Sequence, residues 1–180
     1  MKKTLVVASL AIAATSVLAD GWRFAPLFTD KNFKLEPTIA ATINSVDPKD
    51  VDTATSYGVD FNFNCGILQD PQNRMRTHIN IHQADEDGTK ATAFELSPRY
   101  TLPLGNGLSV GVGPSLGAFK VKVDGTSFNE NYFGVGLAAG INYRMGQFYA
   151  GADVRHHVTG EKSGVDYDHT TAGVKVGFNF

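Results

Sequence analysis

The alternation of apolar and polar residues at the end of the chain is the feature that most constrains its fold. From Thr170 to Phe180, valine and phenylalanine occupy one set of alternate positions, whereas glycine, lysine and asparagine occupy the other. A period of two predicts a β-strand with one apolar and one polar face, and here it continues to the last residue. We therefore expect an all-β fold that ends in a strand.

The same alternation recurs at seven earlier places in the chain. The predicted strands are residues 33–44, 56–66, 74–83, 91–104, 108–121, 132–143 and 148–159. Four connections are polar and mostly long (45–55, 84–90, 122–131 and 160–169), and three are shorter turns (67–73, 105–107 and 144–147). Eight strands joined alternately by long loops and short turns predict an antiparallel up-and-down barrel.

The start of the chain predicts export. Lys2 and Lys3 precede an apolar run, and Val17-Leu18-Ala19 ends it with small residues, which indicates a cleaved signal peptide over residues 1–19. Residues 20–32 show no alternation and are interpreted as an N-terminal periplasmic segment before a barrel at 33–180. The formal net charge is −2, and loss of the two lysines makes it more negative, which argues against a nucleic-acid partner.

Alternation alone leaves open whether the apolar face points into a ligand cavity or out into lipid. Glycines share the polar face at positions 111, 113, 117, 134, 136 and 140, where the interior of a narrow barrel needs small residues. Aromatic residues gather near both ends of the strands, as in the two interfaces of a membrane. After the leader, no apolar run reaches the roughly 18 residues of a membrane helix. We expect a transmembrane barrel with a polar lumen and periplasmic termini.

The chain resembles a known family in these features. The strand pattern, the segment Gly113-Pro-Ser-Leu-Gly117 and the terminal Phe180 are similar to the small eight-stranded barrels of the outer-membrane protein X and opacity type, and to the barrel half of outer-membrane protein A. The resemblance implies the outer membrane of a Gram-negative bacterium. It also implies that Phe178 and Phe180 belong to the signal read by the barrel-assembly machinery.

Charged residues on the polar face are the predicted contents of the lumen. An eight-stranded barrel has just enough interior for side chains to fill it, and buried charges must pair. We expect a closed, salt-bridged lumen, with a narrow ion path as the alternative. The predicted network consists of Lys34, Glu36, Asp60, Arg74, Arg76, His78, His82, Glu95, Arg99, Asp153, Arg155, His157 and Lys175.

The sequence predicts no metal, no cofactor and no catalytic residues. His78 and His82 share a face, but four residues of strand separate them by about 13 Å, too far for one ion. His156 is the one candidate base on the lipid face, near Glu161, Ser163 and Asp168. The surrounding sequence does not match a lipid A deacylase motif, so we expect a protein that is not an enzyme.

The long connections are acidic and indicate a role outside the cell. Their acidic residues are Asp47, Asp50, Asp52, Asp85, Glu86, Asp87, Asp124, Glu130, Glu161, Asp166 and Asp168. Such a rim suits divalent cations that bridge to lipopolysaccharide phosphates, or a basic partner.

We expect a structural or surface-interaction role, in envelope integrity, adhesion or contact with a host or ligand. A small pore or transporter is the alternative, and a lipid A-modifying enzyme comes third. The expected partners are outer-membrane lipids and lipopolysaccharide, the barrel-assembly machinery and an extracellular ligand.

Overall fold

The computed structural model describes residues 21–49, 52–162, 164 and 166–180, so the predicted signal peptide lies outside the described residues. Among those residues, no helix is long and apolar enough to cross a membrane. The elements are β1 (Arg23–Phe24), α1 (Pro26–Thr29), β2 (Thr38–Pro48), β3 (Ala54–Asn64), β4 (Leu68–Gln69), β5 (Met75–Glu86), β6 (Thr89–Gly105), β7 (Leu108–Val123), β8 (Asn129–Met145), β9 (Phe148–Thr159) and β10 (His169–Asn179).

Eight of these strands form a closed barrel in the order β10-β2-β3-β5-β6-β7-β8-β9. Every neighbouring pair is antiparallel, and each strand except β10 pairs with the next barrel strand in the chain. The barrel closes where β10 pairs with β2, from Asn179 opposite Thr38 to His169 opposite Pro48. The predicted eight-stranded up-and-down barrel is confirmed.

The outer surface is apolar and the lumen is polar, because successive side chains of a strand point to opposite faces. Ile39, Phe94 and Val135 point outward and are about half exposed, whereas Asp60, Ser97 and His157 are fully buried inside. The lumen-facing side of β7 and β8 carries small residues where the interior is crowded. A Cβ on Gly140, for example, would lie 2.8 Å from the Cβ of Asp153 and 3.0 Å from Nη1 of Arg99.

The two ends of the barrel differ in their connections. The turn end holds residues 65–74, 106–107 and 146–147. The loop end holds, among the described residues, 49, 52–53, 87–88, 124–128, 160–162, 164 and 166–168. The predicted long loops were too long, because the strands continue into them. Asp85 and Glu86 belong to β5, and Asp87-Gly88 is a two-residue turn with φ angles of 50° and 75°. Positive φ at both positions is the type I′ hairpin geometry that Asp-Gly favours.

The N-terminal segment packs against the turn end. β1 pairs with β4, and the Ala25 amide donates to the Ile67 carbonyl at 2.7 Å. The barrel itself begins at Thr38, later than the predicted residue 33. Glu36 has a left-handed φ of 45°, and Pro37 has no amide hydrogen to donate to a ladder, so the first strand cannot extend back through them.

Candidate functional site in the lumen

The middle of the lumen holds a compact group of paired charges. Lys175 Nζ, from β10, lies 2.7 Å from Asp153 Oδ2 and 3.4 Å from Asp60 Oδ2. Asp60 also contacts His78 Nδ1 at 3.1 Å, and Arg99 donates from Nη2 to Asp153 at 3.0 Å. All five side chains are buried. This group therefore joins strands β3, β5, β6, β9 and β10 across the middle of the barrel.

Toward the turn end, arginines and amides continue the network. Arg76 donates to Asn64 Oδ1 at 2.7 Å and to Asn62 Oδ1 at 3.1 Å, and Arg144 donates to the same Asn62 oxygen at 2.6 Å. The Tyr149 hydroxyl donates to Asn142 Oδ1 at 2.6 Å. Arg144 and Tyr149 are additions to the predicted network. Arg144 lies two residues from Asn142 on β8, and Tyr149 lies four residues from Asp153 on β9, so each shares the lumen face of its strand. This alternation is the sequence signal that identifies them.

Toward the loop end, Glu95 is the central group. Arg155 donates from Nη1 to Glu95 Oε2 at 2.5 Å, and its Nε lies 3.6 Å from Asp153 Oδ1, which joins the two clusters. His82 Nε2 lies 3.6 Å from Glu95 Oε2, and His157 Nδ1 lies 3.6 Å from Glu95 Oε1. One guanidinium and two imidazoles thus surround a fully buried carboxylate.

Aromatic rings cover the loop-end side of this group. Phe119 packs edge-on against His169 with ring centroids 4.5 Å apart, and against His157 at 5.1 Å. A Cβ on Gly117 would lie 2.1 Å from the Phe119 ring, so glycine at this position makes room for it. Phe119 and His169 were not in the predicted lumen set. The parity of Phe119, which matches that of Ser115 and Gly117, was the available signal.

A cavity of about 340 Å³ lies at the mouth of the loop end. Its apolar wall is formed by Val46, Ala84, Ala91, Val121, Val123, Phe128, Tyr132 and Tyr167, and its acidic rim by Asp52, Glu86, Asp87 and Asp166. The Tyr132 hydroxyl is buried and makes no hydrogen bond within the described parts of the chain. Burial raises the pKa of Tyr167 to about 12, so that its hydroxyl stays neutral. We call this cavity, with its rim, the mouth cavity.

The predicted lumen residues separate into two groups in the structure. Ten of them are buried in the lumen: Asp60, Arg76, His78, His82, Glu95, Arg99, Asp153, Arg155, His157 and Lys175. Lys34 and Glu36 precede β2 and are exposed, although Glu36 Oε2 reaches to within 3.9 Å of Arg76 Nη1. Arg74 precedes β5, and its Nε contacts Asp70 Oδ2 at 2.5 Å in the connection at the turn end. Placing these three residues in the lumen was wrong because the strands begin after them.

The predicted acidic residues are spread around the loop end. Those with ion-pair partners are Asp85 with Lys90 at 3.3 Å, Asp124 with Lys122 at 3.9 Å, and Asp166 with Lys49 at 3.3 Å. Asp47 accepts a hydrogen bond from Thr53, Glu86 from the Thr55 amide, and Asp168 from the Thr159 amide. Glu130 and Glu161 lie outside the mouth cavity, and Asp50 lies outside the described residues.

The candidate base on the outer face meets a threonine hydroxyl of the neighbouring strand. His156 Nδ1 lies 3.0 Å from Thr170 Oγ1 on the neighbouring strand. Ser163 lies outside the described residues, and Asp168 is engaged by the Thr159 amide.

A closed eight-stranded barrel with an apolar exterior and a charged, side-chain-filled interior has the architecture of a small bacterial outer-membrane protein. The family model of the outer membrane protein beta-barrel domain matches residues 5–180, and the chain belongs to this family. The protein is located in the outer membrane of a Gram-negative bacterium. No curated protein matches the chain.

Solved structures of similar fold include barrels from Neisseria, Pseudomonas and Yersinia. Neisserial surface protein A has a TM-score of 0.58 at 14% identity, with 79% of this chain and 95% of that chain covered. The N-terminal barrel domain of Pseudomonas aeruginosa OprF has a TM-score of 0.54 at 16% identity, with coverages of 82% and 100%. The attachment invasion locus protein Ail of Yersinia pestis has a TM-score of 0.52 at 13% identity, with the same coverages.

Proposed function

We propose that this protein is a surface-interaction barrel and not an enzyme. Its mouth cavity receives a segment of an extracellular ligand or partner that combines an apolar side chain with a positively charged one. The mouth cavity is the observation that carries the proposal. Its volume of about 340 Å³ is in the range of small-ligand pockets, and its wall is apolar. The carboxylates of its rim attract cations before contact.

The charge of the rim favours one kind of partner over another. Ail, a neighbour in fold, has been crystallised with sucrose octasulfate, a heparin analogue and therefore a polyanion. Here Asp52, Glu86, Asp87 and Asp166 line the opening, with Lys49 as the basic residue beside them. Such a rim repels a polyanion. A lysine-bearing aromatic peptide combines the apolar body and the positive charge that this cavity accommodates.

A peptide-binding titration tests the proposal. The purified protein in lipid nanodiscs is titrated with a fluorescent peptide of alternating phenylalanine and lysine, and with the same peptide carrying glutamate in place of lysine. We expect saturable binding of the lysine peptide that weakens with salt. Binding of neither peptide, or equal binding of both, would refute the proposal.

A matched pair of double variants locates the binding. Asp52→Asn with Asp87→Asn removes two charges from the rim, and Asp124→Asn with Glu161→Gln removes two loop-end charges that do not line the cavity. We expect the first pair to weaken binding several-fold more than the second. Equal weakening would show that total surface charge, and not the mouth cavity, attracts the peptide.

The paired charges in the lumen disfavour the pore alternative. Lys175, Asp60, Asp153 and Arg99 meet across the centre of the barrel with contacts of 2.7–3.4 Å. An ion that crosses must break these contacts in a region with no room beside the side chains. In planar bilayers we expect no conductance steps from the wild-type protein. Steady steps would support a pore.

The remaining partners follow from the outer surface. The exposed apolar band, which includes Phe133, Val135 and Phe178, suits contact with lipid, and the loop-end carboxylates suit cation bridges to lipopolysaccharide phosphates. Phe178 and Phe180 are exposed at the turn end of β10, where the barrel-assembly machinery would read them. An unchanged lipid A mass on overexpression is the expected result for a protein that is not an enzyme.

A further inference from the structure

We infer that Glu95, His157 and His169 form a binding site for a divalent transition-metal ion of the zinc class inside the loop-end half of the lumen. All three residues are buried, and each offers one donor atom within 4.8 Å of the other two. Glu95 Oε1 and His157 Nδ1 are already 3.6 Å apart. A tetrahedral ion with bonds of 2.0–2.1 Å holds its donors about 3.4 Å apart, so small side-chain rotations complete the site.

The hydrogen bonds around the three side chains leave the required lone pairs free. His157 Nε2 hydrogen-bonds with Ser115 Oγ at 2.9 Å, and Ser115 Oγ contacts Ser97 Oγ at 2.8 Å. In the tautomer that binds a metal through Nδ1, Nε2 is the donor to Ser115. His169 Nδ1 donates to the Tyr167 carbonyl at 2.8 Å, which leaves its Nε2 as the donor for a metal. A second nitrogen that donates to an oxygen is the usual support of a metal-binding histidine, since it fixes the ring and the tautomer.

The carboxylate is supported in the same manner. Arg155 holds Glu95 Oε2 at 2.5 Å, and Oε1 is left facing His157. Arg155 also lies 3.6 Å from Asp153, so that part of its positive charge is balanced away from the site. Glu95 is thus oriented by one oxygen and available through the other.

Unpartnered atoms mark the site independently of its geometry. Glu95 Oε1, His157 Nδ1 and His82 Nε2 are buried, and none of them makes a hydrogen bond in the described portion of the structure. Buried polar atoms are normally satisfied, and three unsatisfied atoms gathered around one point call for an explanation. A metal ion bound to Glu95 Oε1 and His157 Nδ1 satisfies two of the three, and His82 Nε2 lies 3.6 Å from the other oxygen of Glu95.

Two neighbouring cavities lie on the loop-end side of these donors. A small cavity of about 10 Å³, about the size that holds one water molecule, is lined by His82, His169 and Phe119. It shares Val46, Ala84, Ala91 and Tyr167 with the mouth cavity above it. The acidic rim concentrates cations at the opening, and Phe119 shields the imidazoles from the side.

The donor set selects the class of ion. Two imidazole nitrogens and one carboxylate oxygen suit zinc and its neighbours in the transition series, and they do not suit calcium or magnesium, which prefer oxygen. This metal site is separate from the proposed peptide contact, because the peptide occupies the mouth cavity and the ion lies below it. Failure of either proposal leaves the other in place.

The test is a metal titration of the full barrel in detergent after treatment with a chelator. We expect one Zn²⁺ per chain by calorimetry. Bound Co²⁺ should show the intense visible absorption of a tetrahedral site, and Ca²⁺ should not bind there. Absence of stoichiometric Zn²⁺ binding to the folded wild-type protein, or octahedral Co²⁺ bound only by surface carboxylates, overturns the inference.

Four variants locate the ion. His157→Gln and His169→Gln should abolish the Co²⁺ spectrum, and Ser115→Ala should weaken binding about 10–100-fold because it removes the support of His157. His156→Gln, which is adjacent in sequence but on the outer face, should bind as the wild type does. Folding of each variant is checked by the gel mobility of unboiled samples. If the glutamine variants do not fold, Ser115→Ala decides, and unchanged affinity in that variant overturns the site.

Discussion

The centre and the loop-end half of the lumen use charge differently. At the centre, Lys175 lies between two aspartates, and Asp153 also accepts a hydrogen bond from Arg99. In the loop-end half, Glu95 has one firm partner, Arg155, while its second oxygen and the facing His157 nitrogen make no hydrogen bond in the described residues. The first arrangement joins strands across the interior through ion pairs, and the second leaves donor atoms available. Ion pairing and unpartnered metal-donor atoms therefore occupy separate lengths of one lumen.

The largest expected effect comes from Lys175→Met at the centre of the lumen. This change leaves Asp60 and Asp153 without the cation between them, and breaking a buried pair costs about 3–5 kcal/mol. Urea unfolding in lipid vesicles, followed by the mobility of unboiled samples on gels, measures the loss. Lys90→Met removes the exposed partner of Asp85 and should cost at most about 1 kcal/mol. If the two variants lose similar free energies of unfolding, the lumen ion pairs stabilise the barrel no more than a surface ion pair does.

The next effect tests the outward face, on which the identity of the lumen depends. Val135 is half exposed on the middle of β8, and Val135→Arg should cost about 2–4 kcal/mol near the bilayer midplane. Met145→Arg, also outward but at the turn end of β8, should cost about 0–1 kcal/mol. Equal tolerance of the two changes in the same unfolding assay would contradict the assignment of faces.

The smallest expected effect sharpens the account of the loop-end half. In Gly117→Ala the new Cβ must displace the Phe119 ring, and such overpacking costs about 1–3 kcal/mol. Gly160→Ala meets open space and should change stability by less than about 0.5 kcal/mol. If Gly117→Ala is also neutral, the Phe119 ring is free to move away from Gly117, and its packing against His169 is not fixed.

The sequence predicts best those features that depend on one strand alone, such as which face a residue takes. Alternation placed Asp60, Glu95 and Arg155 in the lumen, because a period of two fixes which face a residue takes. It gave no information on which of them meet, since those contacts depend on how the strands of the closed barrel are staggered. Glu95 and Arg155 are 60 residues apart in the chain and touch across the interior.

Two further misses have physical causes. His169 was assigned to a loop because polar residues precede it, yet the strand starts at that residue and turns its side chain inward. Phe119 is large and apolar on a face of small residues, and it fits because Gly117 and Gly134 are its neighbours. Aromatic residues near strand ends are expected to point outward into the membrane interfaces. The alternation along β7 places Phe119 on the lumen face instead, and it is the better guide at this position.

The pairing of β10 with β2 sets the order in which the chain can fold. Thr38 and Asn179, whose side chains meet at 2.9 Å, are 141 residues apart in sequence. Until the last strand is present, the hydrogen-bonding edge of β2 has no mate, and an exposed edge invites pairing with other chains. Ring closure of this length is entropically slow. The interval before closure is therefore when the β2 edge is open to pairing with other chains, and a variant without β10 should aggregate instead of forming a closed barrel.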